Sequence, residues 1–299
     1  MPTRTSRTIP ALTDGAERTV TTDDGAVLAV TVAGGDVAGG VPTGGPGSTA
    51  ASTVVLSHGW TNARAVWHPV AQRLVAAGHR VVLYDQRGHG RSTLGDDPLS
   101  IDRFGDDLAC VLDGLDVRDA VLVGHSMGGF TDMSFACRHP GPLAERVRGM
   151  VLVSTAAHGL ALGPRMAALA VRLLDSRAVE WALDRPRGGL FLVRSVLGRK
   201  PTHADMSTTR AMFVATPPEV RVGCFEVFGA MDLRECLATV DVPTVVLSGT
   251  RDTLTRPRLG RAIAEVMPDA RFVSLPDAGH MLPLERPAEV ADAVLSLAR

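Results

Sequence analysis

The sequence predicts an α/β fold, in which a mainly parallel sheet is interrupted by a helical insertion. From Thr53 onward, short β-branched runs alternate with helical patterns, which is typical of βαβ units. A hairpin is expected before them, because the turn residues Asp23-Asp24-Gly25 separate two alternating runs at 19–22 and 27–32. The alternation stops between about residues 156 and 239 and resumes afterwards.

Short runs rich in Val and Leu predict the parallel strands, and longer amphipathic stretches predict the helices between them. The predicted strands lie at 54–56, 80–84, 120–123, 149–153, 244–247 and 271–275. The predicted helices lie at 66–77, 101–115, 127–138, 258–266 and 288–297. Pro287 precedes the last of these, where it suits a first helical turn.

The chain is expected to divide into a core, formed by residues 1–155 and 240–299, and a helical cap formed by 156–239. Helix-like patches at 166–174 and 178–183 lie in the cap and are followed by several prolines and glycines. Such an insertion usually covers the strand ends as a lid. Within the core, residues 34–52 are rich in Gly, Pro, Ser and Thr, which predicts a flexible loop.

Composition limits the classes of partner and the compartment. The 299 residues are 45% hydrophobic and carry a net charge of −1 with no basic stripe, which argues against nucleic acid as the main partner. No segment could anchor the chain stably in a membrane, and the first twelve residues lack the apolar region of a signal peptide. We therefore expect a cytoplasmic protein. The sequence leaves its oligomeric state open.

Cysteine and metal patterns point to neither a disulfide framework nor a metal site. Without C-x-x-C spacing or a high cysteine density, we expect reduced, largely buried thiols at Cys110, Cys137, Cys224 and Cys236. The Asp, Glu and His residues show no metal-ligand spacing, so no metal or other cofactor is expected.

The segment Gly124-His125-Ser126-Met127-Gly128 follows the buried strand at 120–123 and precedes a predicted helix. This is the pattern of a nucleophile elbow, a tight turn that holds a serine hydroxyl at the edge of a sheet. Side chains at positions 124 and 128 would collide with the neighbouring strand and helix, which explains the two glycines. Ser126 is the candidate nucleophile.

A serine nucleophile needs a base, and the base needs a carboxylate to orient it. Asp252 and His280 follow the two C-terminal strands, so both are expected at the same sheet edge as Ser126. Asp277 competes with Asp252 for the role of the acid because it lies three residues before His280. The loop after the strand at 149–153 offers no carboxylate, which favours Asp252.

Two backbone N–H groups are required to hold the developing oxyanion. Met127 is expected to supply one from the start of the helix after Ser126, and Trp60 the other from the loop after the first parallel strand. The side chains of Trp60 and Met281 are candidates for the substrate pocket. The apolar residues of the cap could line it or form the cap's own core, namely Met166, Met206, Met212, Phe213, Phe225 and Phe228.

Together these segments resemble the motifs of the α/β-hydrolase superfamily, and most closely its esterase, lipase and haloperoxidase-like members. The resemblance covers about 53–155 and 240–299, and includes Ser57-His58-Gly59-Trp60 and the loop 85–92. It implies helices on both faces of the sheet and a structural role for the loop 85–92. The resemblance disfavours dehalogenase and epoxide hydrolase activity, since those relatives use an aspartate nucleophile.

We therefore expect a serine hydrolase that cleaves a small, apolar carboxylic ester through an acyl-enzyme. The same three side chains could instead serve acyl transfer, perhydrolysis or C–C bond hydrolysis. A ligand-binding, receptor-like protein with negligible turnover is the alternative from another class. Of the remaining polar residues, His58 and His125 are expected to be structural, and solvated carboxylates are expected at Asp102, Asp106 and Asp107.

Overall fold

The computed structural model describes residues 12, 15–35, 52–159, 171–173, 176, 181–183 and 185–298. Almost all of the predicted flexible loop at 34–52 lies outside the described residues. So do most of the two helix-like patches at 166–174 and 178–183, of which 171–173 and 181–183 are described and helical.

An eight-stranded sheet forms the centre of the described part, with the order β1-β2-β4-β3-β5-β6-β7-β8. The pairs β1–β2 and β2–β4 are antiparallel, and the other pairs are parallel. The mostly parallel α/β fold and the N-terminal hairpin are thus confirmed. The strands are β1 (Ala16–Thr21), β2 (Val27–Ala33), β3 (Thr53–Ser57), β4 (Arg80–Tyr84), β5 (Ala120–His125), β6 (Val147–Val153), β7 (Thr244–Gly249) and β8 (Ala270–Leu275).

Helices connect the parallel strands, and four helices with described bounds lie between β6 and β7, besides the helical residues at 171–173 and 181–183. None of the described helices has the length and apolar character needed to span a membrane. The helices are α1 (His68–Ala76), α2 (Ile101–Gly114), α3 (Met127–Arg138), α4 (Pro140–Arg146), α5 (Pro186–Arg194), α6 (His203–Ala215), α7 (Pro218–Ala230), α8 (Arg234–Leu237), α9 (Pro257–Val266), α10 (Leu282–Glu285) and α11 (Pro287–Leu297).

Alternation along the strands creates a separate apolar core on each face of the sheet. Val55 of β3 points into the core shared with α2, α3 and α9, whereas its neighbours Val54 and Leu56 point into the core shared with α1 and α11. Strands buried on both faces need helices on both sides, which explains their unbroken apolar sequences. The sheet therefore has helices on both faces, as the resemblance implies.

Cys137 and Cys236 form a disulfide, so the expectation of four reduced thiols was wrong. Their Cα atoms lie 5.8 Å apart although the residues are 99 positions apart in sequence. The bond joins the last turn of α3 to α8. Cys110 and Cys224 are free thiols. Spacing along the chain could not reveal this pair because the contact depends on how α8 returns to α3.

The expectation of a solvated carboxylate was also wrong for Asp107. Its side chain is buried and forms an ion pair with Arg87, whose Nε lies 2.6 Å from the Asp107 carboxylate. Arg87 also pairs with Asp24, at 2.9 Å. Because Arg87 belongs to the loop 85–92, that loop is tied to α2 and to the N-terminal hairpin. The loop has the structural role expected for it.

Candidate active site

The turn after β5 holds Ser126 in a strained backbone conformation, with φ 53° and ψ −114°. A Cβ at Gly128 would lie 2.0 Å from the Ser57 carbonyl oxygen, and one at Gly124 would lie 2.4 Å from the Gly128 oxygen. Only glycine fits these positions, so the steric reason predicted for both is confirmed. The Ser126 N–H donates to the Val153 carbonyl at 2.9 Å. This bond fixes the turn to the end of β6.

The loop after β3 packs against this turn. A Cβ at Gly59 would lie 2.7 Å from Nδ1 of His125, the residue before Ser126. Within the described part of the chain, the backbone N–H groups of Trp60 and Met127 donate to no protein acceptor. Met127 is the first residue of α3, where an N–H has no partner inside its own helix. Two unpaired donors therefore lie on loops that touch each other.

Asp252 and His280 are hydrogen-bonded, with His280 Nδ1 2.8 Å from Asp252 Oδ2. The carboxylate also accepts from the Thr255 hydroxyl at 2.7 Å and from the N–H groups of Leu254 and Thr255, each at 2.9 Å. Burial alone would raise the pKa of Asp252, but the attraction of His280 and these hydrogen bonds outweigh burial and lower it. Asp252 is therefore an anion that fixes His280 Nδ1 as the protonated nitrogen.

The backbone around His280 is held from three sides. Its N–H donates to the Val196 carbonyl at 2.8 Å, and its carbonyl accepts from His125 Nε2 at 2.8 Å. The Glu285 carboxylate, whose pKa is raised by burial, accepts hydrogen bonds from the backbone N–H groups of Gly198, Gly279 and Met281. The histidine loop is thus fixed before any substrate arrives.

Ser126 and His280 line the same cavity. Among the described contacts, no hydrogen bond joins the Ser126 hydroxyl to the His280 ring, and His280 Nε2 has no partner. The structure therefore brings Asp252 and His280 into direct contact. It places Ser126 at the wall of the same cavity, without a hydrogen bond between Ser126 and His280.

The cavity has a volume of about 430 Å³ and is lined mostly by apolar side chains. Trp60 and Met281, the two predicted pocket residues, both line it, and so do three of the aromatic residues predicted from the cap. Met166 lies outside the described residues, whereas Met212 packs in the core. The aromatic and aliphatic lining residues are Trp60, Phe130, Val171, Leu183, Val193, Val196, Phe213, Phe225, Phe228, Leu254 and Met281.

Three histidines near the site are fully buried and act as hydrogen-bonding groups in the framework: His58, His89 and His125. Burial lowers the pKa of His58 to about 4 and the pKa values of His89 and His125 to about 3. Each is therefore neutral near pH 7, and each pairs one ring nitrogen with a backbone carbonyl, those of Gly59, Arg87 and His280 respectively. The structural role expected for His58 and His125 agrees with these contacts.

Asp277 does not contact His280 through its side chain. Its carboxylate is half exposed and lies 3.8 Å from Arg199 and from Arg251. Sequence reasoning missed Thr255, which bonds the Asp252 carboxylate, and Glu285, which bonds the histidine loop. Thr255 stands three residues after Asp252, where a hydroxyl can reach back to the carboxylate, but Glu285 carried no recognisable signal.

Comparison with known families identifies the fold. A family model described as the alpha/beta hydrolase fold matches residues 52–287. The match covers all six parallel strands and the loops that carry Ser126, Asp252 and His280.

Two curated relatives and one solved structure illustrate the similarity. The non-heme chloroperoxidase CPO-A1 of Kitasatospora aureofaciens is 32% identical over 76% of this chain and 84% of its own. The bifunctional esterase/perhydrolase of Acinetobacter calcoaceticus is 26% identical over 83% of this chain and 92% of its own. The enol-lactonase from Burkholderia xenovorans superposes with a TM-score of 0.77 at 26% identity, covering 94% of this chain and 99% of its own.

Proposed function

Because the chain belongs to the α/β-hydrolase family, whose members compared above include esterases and haloperoxidases, we propose that it hydrolyses carboxylic esters with Ser126 as nucleophile. The observation that carries the proposal is the ionised Asp252 bonded to His280 Nδ1, which leaves Nε2 free beside the cavity that Ser126 lines. In that arrangement the imidazole is set up to take a proton from a serine hydroxyl.

In the proposed reaction, Ser126 Oγ attacks the ester carbonyl while His280 Nε2 takes its proton. Asp252 stabilises the imidazolium that forms. His280 then protonates the leaving alcohol, and a water molecule activated by the same histidine releases the acid from the acyl-enzyme. These steps require no cofactor. The Ser126–His280 bond forms when substrate binds, since catalytic hydrogen bonds often tighten only in the complex.

We assign the oxyanion hole to the N–H groups of Trp60 and Met127. The support for this assignment is that both donors lack protein acceptors and that their loops are in contact. Removing one such donor usually costs about 10²–10³ in kcat. A backbone donor cannot be deleted by substitution, so the assignment is best tested by an ester-derived phosphonate bound covalently to Ser126, whose phosphoryl oxygen should lie against both nitrogens in a crystal structure.

The cavity supports an apolar, small-molecule substrate. Its aromatic and aliphatic lining offers burial for an acyl chain or an apolar alcohol, and its volume is within the range of about 300–1,000 Å³ typical of small-molecule sites. A chain-length series of p-nitrophenyl esters tests this point. We expect kcat/KM to rise with chain length until the cavity is filled, and a flat series would contradict the apolar pocket.

Labelling with a fluorophosphonate probe separates the enzyme from a receptor-like protein of the same fold. We expect rapid labelling of the wild type and none of Ser126→Ala, together with multiple turnovers of p-nitrophenyl butyrate by the wild type alone. Labelling without turnover would favour the ligand-binding alternative. Circular dichroism of Ser126→Ala controls for folding.

Acyl transfer to an acceptor other than water is the second candidate. The relative from Acinetobacter calcoaceticus is named for both esterase and perhydrolase activity, and both reactions share the acyl-enzyme. Product analysis with hydrogen peroxide or an alcohol as competing nucleophile distinguishes the outcomes. Hydrolysis of a C–C bond by Ser126, His280 and Asp252 remains a further alternative reaction.

The cytoplasmic location also remains a proposal, and the Cys137–Cys236 disulfide bears on it. Disulfides persist mainly in oxidising compartments, so a cytoplasmic chain should contain these two cysteines largely as thiols. Mass spectrometry after rapid alkylation of intact cells measures their state. Complete oxidation in cells would contradict the cytoplasmic location.

A further inference from the structure

The outer wall of the cavity, formed by residues 171–173, 181–183 and 191–193, has apolar side chains on both of its sides. On the inner side, Val171, Leu183 and Val193 line the cavity. Each of these residues has an apolar residue two positions away in sequence that is exposed to solvent. The exposed fractions are 50% for Leu173, 60% for Trp181 and 80% for Phe191. Apolar side chains this large and this exposed, in three segments that line one cavity, are typical of an interaction surface.

The chain around this wall carries a local excess of positive charge, which the expectation of no basic stripe overlooked. Residues 185–204 contain no Asp or Glu, although the whole protein has a net charge of −1. The segment contains five basic residues, one of which is Arg187. The other four are exposed in the structure, namely Arg185, Arg194, Arg199 and Lys200. The Arg194 guanidinium donates hydrogen bonds to the carbonyl oxygens of Leu197, Gly198 and Arg199. Among the described residues, Arg199 alone of the four approaches a carboxylate, that of Asp277 at 3.8 Å, and an exposed pair of this kind is weak.

Helix α5 and the residue before it combine the two properties. Phe191 is exposed on the helix, while the basic Arg185 and Arg194 stand at its ends. The Arg185 guanidinium lies 3.3 Å from the centre of the Trp181 ring, a cation–π contact that keeps a charge and an aromatic ring together at the surface. Exposed aromatic and basic side chains on one short helix are typical of segments that lie in a lipid headgroup region.

We propose that the outer wall docks onto an anionic lipid surface. Leu173, Trp181 and Phe191 would enter the headgroup region while the basic residues pair with lipid phosphates. The charge excess favours an anionic lipid over a neutral one, and the exposed aromatic residues favour a lipid over a soluble anion. The contact is reversible docking at the lipid surface. An apolar molecule dissolved in the lipid would then be separated from the cavity only by this wall.

Vesicle flotation of the full-length protein tests the proposal. We expect the wild type to float with vesicles of phosphatidylcholine and phosphatidylglycerol, weakly with phosphatidylcholine alone, and less at high salt. Arg199→Gln with Lys200→Gln removes two charges near the surface, and affinity should fall about thirtyfold. Phe191→Ser with Trp181→Ser should lower it at least about tenfold.

A matched pair of substitutions controls for net charge. Arg18→Gln with Arg73→Gln removes the same charge from exposed residues of β1 and of the last turn of α1. We expect this pair to bind vesicles as the wild type does. An equal loss in the control pair, equal binding to neutral vesicles, or no flotation at all would overturn the proposal. So would a dimer in solution that Phe191→Ser dissociates, because the exposed side chains would then be covered by a second copy.

The readout does not depend on the proposed ester hydrolysis. Ser126→Ala should float like the wild type, and the outer-wall variants should retain turnover of a short, water-soluble ester, since none of the substituted residues lines the cavity. An inactive wild type that floats would contradict only the hydrolase. An active wild type that ignores anionic vesicles would contradict only the docking surface.

Discussion

The carboxyl edge of the sheet and the outer wall of the cavity face each other across the same space but are built differently. At the sheet edge, short loops fix Ser126, Asp252 and His280 through backbone hydrogen bonds and close glycine contacts, and Asp252 and His280 are each no more than 5% exposed. In the outer wall, Leu183 and Val193 are buried, whereas Phe191 is 80% exposed. We therefore expect the chemistry to reside at the sheet edge, where the backbone is fixed, and substrate choice to depend on the side chains that face it across the cavity.

This contrast predicts different responses to substitution. A change at the sheet edge should act through geometry and affect kcat or folding abruptly. A change at the wall should shift preference among substrates and leave the reaction intact. The experiments below test the sheet edge, the buried histidines beside it and the apolar lining of the cavity.

The largest effect is expected for Asp252→Asn. Losing the anion leaves His280 in the wrong tautomer, and kcat should fall about 10⁴-fold with KM nearly unchanged. Asp277→Asn is the control, because Asp277 is half exposed and lies near two arginines instead of His280. Steady-state kinetics with p-nitrophenyl butyrate measures both. A large loss of kcat for Asp277→Asn and a small loss for Asp252→Asn would show that Asp277 is the acid that orients His280.

Acid should destabilise the fold steeply through its buried histidines. The pKa values of His58, His89 and His125 are lowered by burial to about 4, 3 and 3, below the value of about 6.5 expected in the unfolded chain. Below pH 6.5 the unfolded state binds more protons, so the stability that these groups supply at neutral pH is lost as pH falls toward their folded-state pKa values. Each contributes about 1.4 kcal/mol per pH unit in that window.

Urea denaturation between pH 7.5 and 5 measures this dependence, and His89→Gln should give a shallower slope than the wild type. A free energy of unfolding that stays constant over this range would mean that the three rings are already exposed or charged. The test sharpens the comparison, because the outer wall contributes no buried histidine among its described residues.

Gly128→Ala should reduce stability by about 3 kcal/mol, because its Cβ would lie 2.0 Å from the Ser57 carbonyl oxygen. Gly141→Ala in α4 is the control, since a Cβ there meets nothing within 4 Å. That change should be neutral or stabilise by up to about 1 kcal/mol. Thermal unfolding followed by circular dichroism compares the two, and equal midpoints would show that the turn is looser than described.

The smallest effect is expected at the cavity, for Phe213→Ala. Removing this ring enlarges the apolar space, and the ratio of kcat/KM for p-nitrophenyl decanoate over butyrate should rise about tenfold. Val214→Ala changes the next residue of α6, which is exposed instead of lining the cavity, and should leave the ratio unchanged. An unchanged ratio in Phe213→Ala would place the acyl chain elsewhere.

Features set by local sequence were predictable. The predicted bounds of the strand at 80–84 and of α3 match the observed bounds at both ends. These bounds are local features, because each apolar run ends at polar or glycine residues within one turn. The elbow at Ser126 was predictable because its steric demand falls on two nearby glycines. Helix α4 was not predicted, although the proline at its start, Pro140, is tolerated in a first helical turn.

Features set by distant contacts were not predictable from one sequence. Asp107 resembles any exposed helical carboxylate until the loop carrying Arg87 folds over it. Glu285 supports the histidine loop only because α10 follows that loop closely enough for three backbone N–H groups to converge on one carboxylate. The exposed residues of the outer wall could not be predicted from the sequence either, because periodicity alone does not separate a residue that lines the cavity from an exposed residue two positions away.

The disulfide between Cys137 and Cys236 has a consequence for the integrity of the chain. Its two ends enclose the whole connection from α3 to α8, which includes every described segment of the outer wall. A single proteolytic cut anywhere between residues 138 and 235 would therefore leave two fragments that remain covalently joined. Such a nicked protein would migrate as one species in gel electrophoresis until a reductant separated it into two.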